Sequence, residues 1–212
     1  MNSLFYISIL GTVAFAVSGG MVAIQSRMDL FGVNMLALTC AVGGGAIRDI
    51  LIGERPVMFR DPTYVVIALI TANVLFVFLA LKHRRFPASV VNAYEKILFI
   101  SDSLGLAAFT VNGVAIGKDQ PDSTLFLCCF LGVITGIGGG ILRDILARKM
   151  PGVFVKHIYA VASIIGAVIT GVLWPVSSDI AMMAGFAAVV IIRICAAEGR
   201  WNLPHIEGFE GP

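Results

Sequence analysis

Two short strings concentrate the polar chemistry of this chain. Gly43-Gly44-Gly45 is followed by Arg48-Asp49, and Gly138-Gly139-Gly140 by Arg143-Asp144. In each string the charged pair lies within about 6 Å of helix rise of the last glycine. Ionisable groups in so apolar a setting cost several kcal/mol unless they pair or meet water. Glycine carbonyls and a carboxylate suit a partly dehydrated cation. An arginine near the N-terminal end of a broken helix suits a carboxylate instead. A plainer role is also open: each arginine can snorkel to an interface or brace an aspartate as a strut.

Asp102 is the remaining carboxylate inside an apolar stretch, and Arg193 is its expected partner, as a structural ion pair or as part of a path. Ser18 and Asn112, each just before a glycine, can offer oxygen to a cation or bond a neighbouring helix. Pro56 and Pro151 follow the charged pairs at the same interval and are read as helix ends. No HExxH or GxSxG string occurs, and His83, His157 and His205 fall in connections or the tail, so catalysis has no footing. Cys40, Cys128, Cys129 and Cys195 lie in apolar stretches without CxxC spacing, which reads as packing, with no metal and no cofactor expected.

The elements that hold these residues follow from composition. Of 212 residues, 58% are hydrophobic and 13% charged, against about 25% charged in soluble domains, and mean hydropathy is +0.93. The solvent must be lipid. Net charge of +2 without a basic stripe argues against nucleic acid. Seven apolar segments suggest spans near 4–24, 31–52, 64–82, 97–117, 124–146, 155–174 and 178–197, within one transmembrane domain over 1–212. The N-terminus lacks a basic n-region and is read as a retained first span. Lys and Arg in the connections divide nine to three when the N-terminus is outside and the C-terminus cytoplasmic. The run KHRR at 82–85 is a topology signal that can also touch anionic lipid.

Self-comparison shows a duplication. GGGAIRDILIGERPVMF at 43–59 aligns without gaps to GGGILRDILARKMPGVF at 138–154, with nine of seventeen positions identical. Upstream, LGTVAFAVSG at 10–19 matches LGLAAFTVNG at 104–113, one residue out of that register. Each unit holds three spans, so the second copy must be inverted. The expected fold is an all-α inverted 3+3 repeat, about 4–82 and 97–174, plus an extra helix at 178–197. Such repeats build solute paths with the critical site near the midplane. The triplets are expected to break and kink the second and fifth spans. Close helix packing is the competing account of the glycines.

The doubled pattern AFxVxG … GGGxxRDIL … P … F over three spans, repeated and followed by a seventh, resembles the prokaryotic trimeric intracellular cation channels, whose sequences are also labelled bacterial glycine transporters. The resemblance covers about residues 4–200. It implies a homotrimer in the prokaryotic plasma membrane, with an hourglass pore in every protomer that passes monovalent cations, mainly potassium. Gly43–Gly45 and Gly138–Gly140 would form the kinks, with Arg48, Asp49, Arg143 and Asp144 at or beside the pore. No lysine occupies either triplet, so the voltage gating and inositol-lipid binding of animal members are not implied. The other transport reading is an alternating-access carrier of a small amino acid such as glycine.

Overall fold

Long aliphatic runs leave the backbone no water to bond, so the chain closes its hydrogen bonds within helices. The computed structural model describes residues 2–81, 88–155, 158–199 and 201, and these are helical almost throughout. The helices are α1 (Asn2–Gln25), α2 (Leu30–Leu51), α3 (Thr63–Leu81), α4 (Ala88–Lys118), α5 (Leu125–Leu146), α6 (Gly152–Val155), α7 (Ala160–Leu173) and α8 (Ser178–Glu198). A single 3₁₀ turn, Val57–Phe59, precedes α3. Six of them (α1 to α5 and α8) are long and apolar enough to cross a membrane. The span expected at 155–174 is shorter. α7 has 14 residues, about 21 Å of rise, because the chain after Pro151 folds back on the end of α5 before it starts.

α1 and α4 are the centre, with 67% of their apolar windows buried, whereas α3 has 11% buried and presents its sides outward. α1 and α4 run antiparallel: Ser8 bonds Asn112, Gly11 meets Ala108 and Phe15 meets Gly105, so partner numbers fall along α4 as they rise along α1. Phe15 and Phe109 pack ring to ring at 5.3 Å between centroids in the core. Large apolar side chains such as Phe31, Phe78 and Met183 face outward, which is the lipid side for a chain of this composition.

The triplets do not interrupt the helices: α2 and α5 each continue unbroken through them. Their leading effect is close approach. A Cβ on Gly44 would stand 2.2 Å from the Thr135 carbonyl oxygen, and one on Gly139 would stand 2.1 Å from that of Cys40. Only glycine lets α2 and α5 touch backbone to backbone there. The expected breaks are thus replaced by a crossing.

The prolines do not end these helices either. Glu54 N–H bonds Asp49 O at 2.8 Å and Gly53 N–H bonds Ile50 O at 3.1 Å, closing α2 with Gly53 at φ 74°. Lys149 and Arg148 repeat the pattern onto Asp144 O and Ile145 O at 2.8 and 2.9 Å, with Arg148 at φ 55°. Both are Schellman closures, completed before Pro56 and Pro151 are reached.

Candidate functional site: two charged cavities about a glycine crossing

One turn beyond the crossing on each helix lies a buried arginine held by the aspartate after it. Arg48 Nε and Nη2 donate to Asp49 Oδ1 at 2.9 and 2.7 Å, and Arg143 Nε donates to Asp144 Oδ1 at 2.8 Å. The other oxygen of each carboxylate accepts a backbone N–H eight residues on, Val57 to Asp49 Oδ2 at 2.9 Å and Gly152 to Asp144 Oδ2 at 2.8 Å. Each aspartate therefore ties the returning loop to its own helix. Neither arginine snorkels: both are buried with their aspartates.

The remaining guanidinium edges reach across the molecule. Arg48 Nη1 donates to Asn112 Oδ1 on α4 at 2.6 Å, and Asn112 Nδ2 donates to Ser8 Oγ on α1 at 2.9 Å. Arg143 Nη1 donates to Ser18 Oγ on α1 and to Asp102 Oδ1 on α4 at 2.6 Å. Ser18 and Asn112 thus serve as partners of the arginines. Asp102 pairs with Arg193 at 3.7 Å, as the sequence suggests, and has a second and closer partner in Arg143 at 2.6 Å. The reason is geometric: α5 crosses directly beside α4, while Arg193 arrives from α8 flanked by the rings of Phe99 and Tyr159 at 4.9 and 4.7 Å.

Each cluster lines its own cavity. One of about 240 Å³ is bounded by Ser8, Thr12, Gly45, Arg48, Asn112 and Tyr64. The other, about 690 Å³, is bounded by Asp102, Gly140, Arg143, Asp144, Tyr159 and Arg193. The two have no lining residue in common, and the α2–α5 crossing lies between the two arginines. The triplets divide their labour accordingly. Gly43 and Gly44 pack against α5, and Gly138 and Gly139 against α2, while Gly45 and Gly140 open to the cavities. Tyr64 and Tyr159 were not anticipated, yet the ungapped register that relates the two strings also relates these tyrosines.

Outside the spans, hydrogen bonds from the Thr63 side chain and backbone hold the Asp61 carboxyl below its ordinary range. No group of His, Cys, Asp and Glu able to hold a metal occurs among the described residues. The basic residues Lys82, Arg84, Arg85, Lys156 and Arg200, and the three histidines, lie outside the described residues.

A helical membrane protein with paired arginine-aspartate clusters on either side of a helix crossing is the class these features define. The family model described as Glycine transporter matches residues 5–80 and 99–175, two stretches that divide near the middle of the chain. The UPF0126 inner membrane protein YadS of Escherichia coli K12 is 38% identical over 203 residues, spanning 94% of this chain and 93% of YadS. The UPF0126 membrane protein YvgT of Bacillus subtilis is 37% identical and covers 94% of each. A structure solved for the study of conductance through TRIC cation channels superposes with a TM-score of 0.83 at 30% identity, covering 97% of this chain and 98% of that one. The TRIC trimeric intracellular cation channel orthologue from Rhodobacter sphaeroides also gives 0.83 at 30% identity, over 94% and 100%. The chain belongs to this family, the bacterial glycine-transporter-type membrane proteins that share the TRIC channel fold. The solved structures it resembles are channels, not enzymes.

Proposed function

We propose that the protein is a potassium-permeable monovalent cation channel of the bacterial plasma membrane, a homotrimer with one pore within each protomer. The observation that carries this reading is the pair of cavities, each bearing an Arg-Asp cluster, disposed about the Gly44–Gly139 crossing. α2 and α5 line the path, and a bend at the triplets forms its waist, with Phe15 and Phe109 packed beside it. The fold is an inverted 3+3 repeat with α8 added, α7 completing the seven helices. The N-terminus lies outside and the C-terminus in the cytoplasm, which puts the Arg48 cavity outside and the Arg143 cavity inside. Asp49 and Asp144 neutralise the arginines, so the guanidinium groups do not repel a cation that passes between the two cavities. The trimer is supported by the TRIC trimeric channel orthologue to which the chain is similar.

Purified protein in planar bilayers under a potassium chloride gradient tests the reading. A reversal potential near that of potassium is expected. Saturable glycine uptake by proteoliposomes without ionic current would replace the channel with a carrier.

A further inference from the structure

The two halves are alike in their Arg-Asp pairs but differ at one aligned position. Ser8 and Asp102 both stand two residues before a Leu-Gly pair, Leu10-Gly11 and Leu104-Gly105. Ser8 joins the first cluster through Asn112, which bridges it to Arg48. Asp102 enters the second cluster directly, as a full charge against Arg143. α8, which has no counterpart in the first half, adds Arg193 at the same spot, 3.7 Å from Asp102 Oδ2.

That ion pair is looser than the 2.6 Å contact between Asp102 and Arg143. A structural guanidinium–carboxylate pair closes to about 2.7–2.9 Å, often through two parallel bonds. Arg193 is 4% exposed, its Nε and Nη1 have no hydrogen-bond partner among the described residues, and two ring faces lie against the cation. What its position does supply is charge: Arg143, Lys149 and Arg193 balance Glu95, Asp102 and Asp144 around the larger cavity, as Arg48 balances Asp49 in the smaller.

We propose that Asp102 and Arg193 form an opposed pair that sets charge selectivity in this half of the path, Asp102 drawing cations in and Arg193 acting as a tethered counter-ion that moderates it. The inference rests on the channel reading. Removing Arg193 leaves the cavity at −1 and raises the preference for cations. Removing the Asp102 charge leaves it at +1 and lowers that preference. One unit charge about 10 Å from the permeating ion, at an effective dielectric of about 40, changes local ion occupancy about fourfold.

The test compares wild type, Arg193→Gln, Asp102→Asn and the double variant by reversal potential in asymmetric potassium chloride. Reversal potential does not depend on how much channel has folded. Arg193→Gln should shift it toward the potassium limit, Asp102→Asn away from it, and the double variant, neutral again, should return close to wild type. Single variants that shift the same way, or not at all, while wild type stays cation-selective overturn the inference and leave the channel intact. A wild type without selective current removes the channel reading and this inference with it. Should one single variant fail to fold, the remaining single and the charge-balanced double decide by whether the shift appears in one and vanishes in the other.

Discussion

Arg48 on α2 donates through Nη1 to Asn112 Oδ1 on α4 at 2.6 Å, a bond between the two halves of the chain. Its counterpart joins Arg143 on α5 to Ser18 on α1. Each duplicated arginine thus holds its own aspartate and the opposite half together. On the proposed pore the same side chain carries charge and braces the core, so substitutions here are expected to act on stability and conduction at once.

The two arginines carry unequal loads. Arg143→Met strands Asp144 and leaves Asp102 with only the looser Arg193 contact, whereas Arg48→Met strands Asp49 alone. Breaking a buried pair costs about 3–5 kcal/mol. Thermal unfolding in detergent should place Arg143→Met well below Arg48→Met. Equal losses would show that Asp102 is satisfied by Arg193 alone.

Within one triplet, neighbouring glycines should answer differently to alanine. Gly44→Ala drives a Cβ against backbone and must part α2 from α5, costing at least about 1–3 kcal/mol. Gly45→Ala meets only Arg48 Nη2 at 3.6 Å, an ordinary contact, and gains up to about 1 kcal/mol of helix propensity. Unfolding midpoints check the stability order. Single-channel conductance should fall for Gly45→Ala, because its methyl projects into the smaller cavity.

The helix closures give a reciprocal pair. Gly53 sits at φ 74° with nothing within 4 Å of a Cβ, so Gly53→Ala costs only backbone strain, about 1 kcal/mol. Arg148 holds the same conformation at φ 55°, and Arg148→Gly should relieve a similar amount. Denaturation of both variants should shift in opposite directions.

Tyr159 is buried, and its hydroxyl has no hydrogen-bond partner among the described residues. Tyr159→Phe removes a polar atom that makes no bond, so the unfolding midpoint should hold or rise. A large loss would reveal an ordered water on that hydroxyl.

Sequence periodicity made the repeat, the apolar spans and the charged pairs legible, because a duplicated Arg-Asp in lipid stands out against aliphatic residues. The pairing of Ser18 and Asn112 was half legible: the residues were singled out, but their arginine partners lie 125 and 64 positions away. The glycine crossing was less so. A run of glycines signals a break and a close contact equally well, and only a neighbouring backbone decides between them. α7 was overextended because hydropathy registers apolar residues and not the loop that returns to Asp144.

The sequence by itself determined that this chain dissolves in lipid, that two of its segments recur, and that each recurrence carries one arginine-aspartate pair after three glycines. Composition and identity are local properties, and the residues state them directly. Tertiary structure alone decided that the triplets pack α2 on α5, that each arginine bridges to the other half, and that Asp102 faces two arginines. Those relations depend on which helices meet and at what depth. Side chains from separate helices share a cavity only once packing has brought them there.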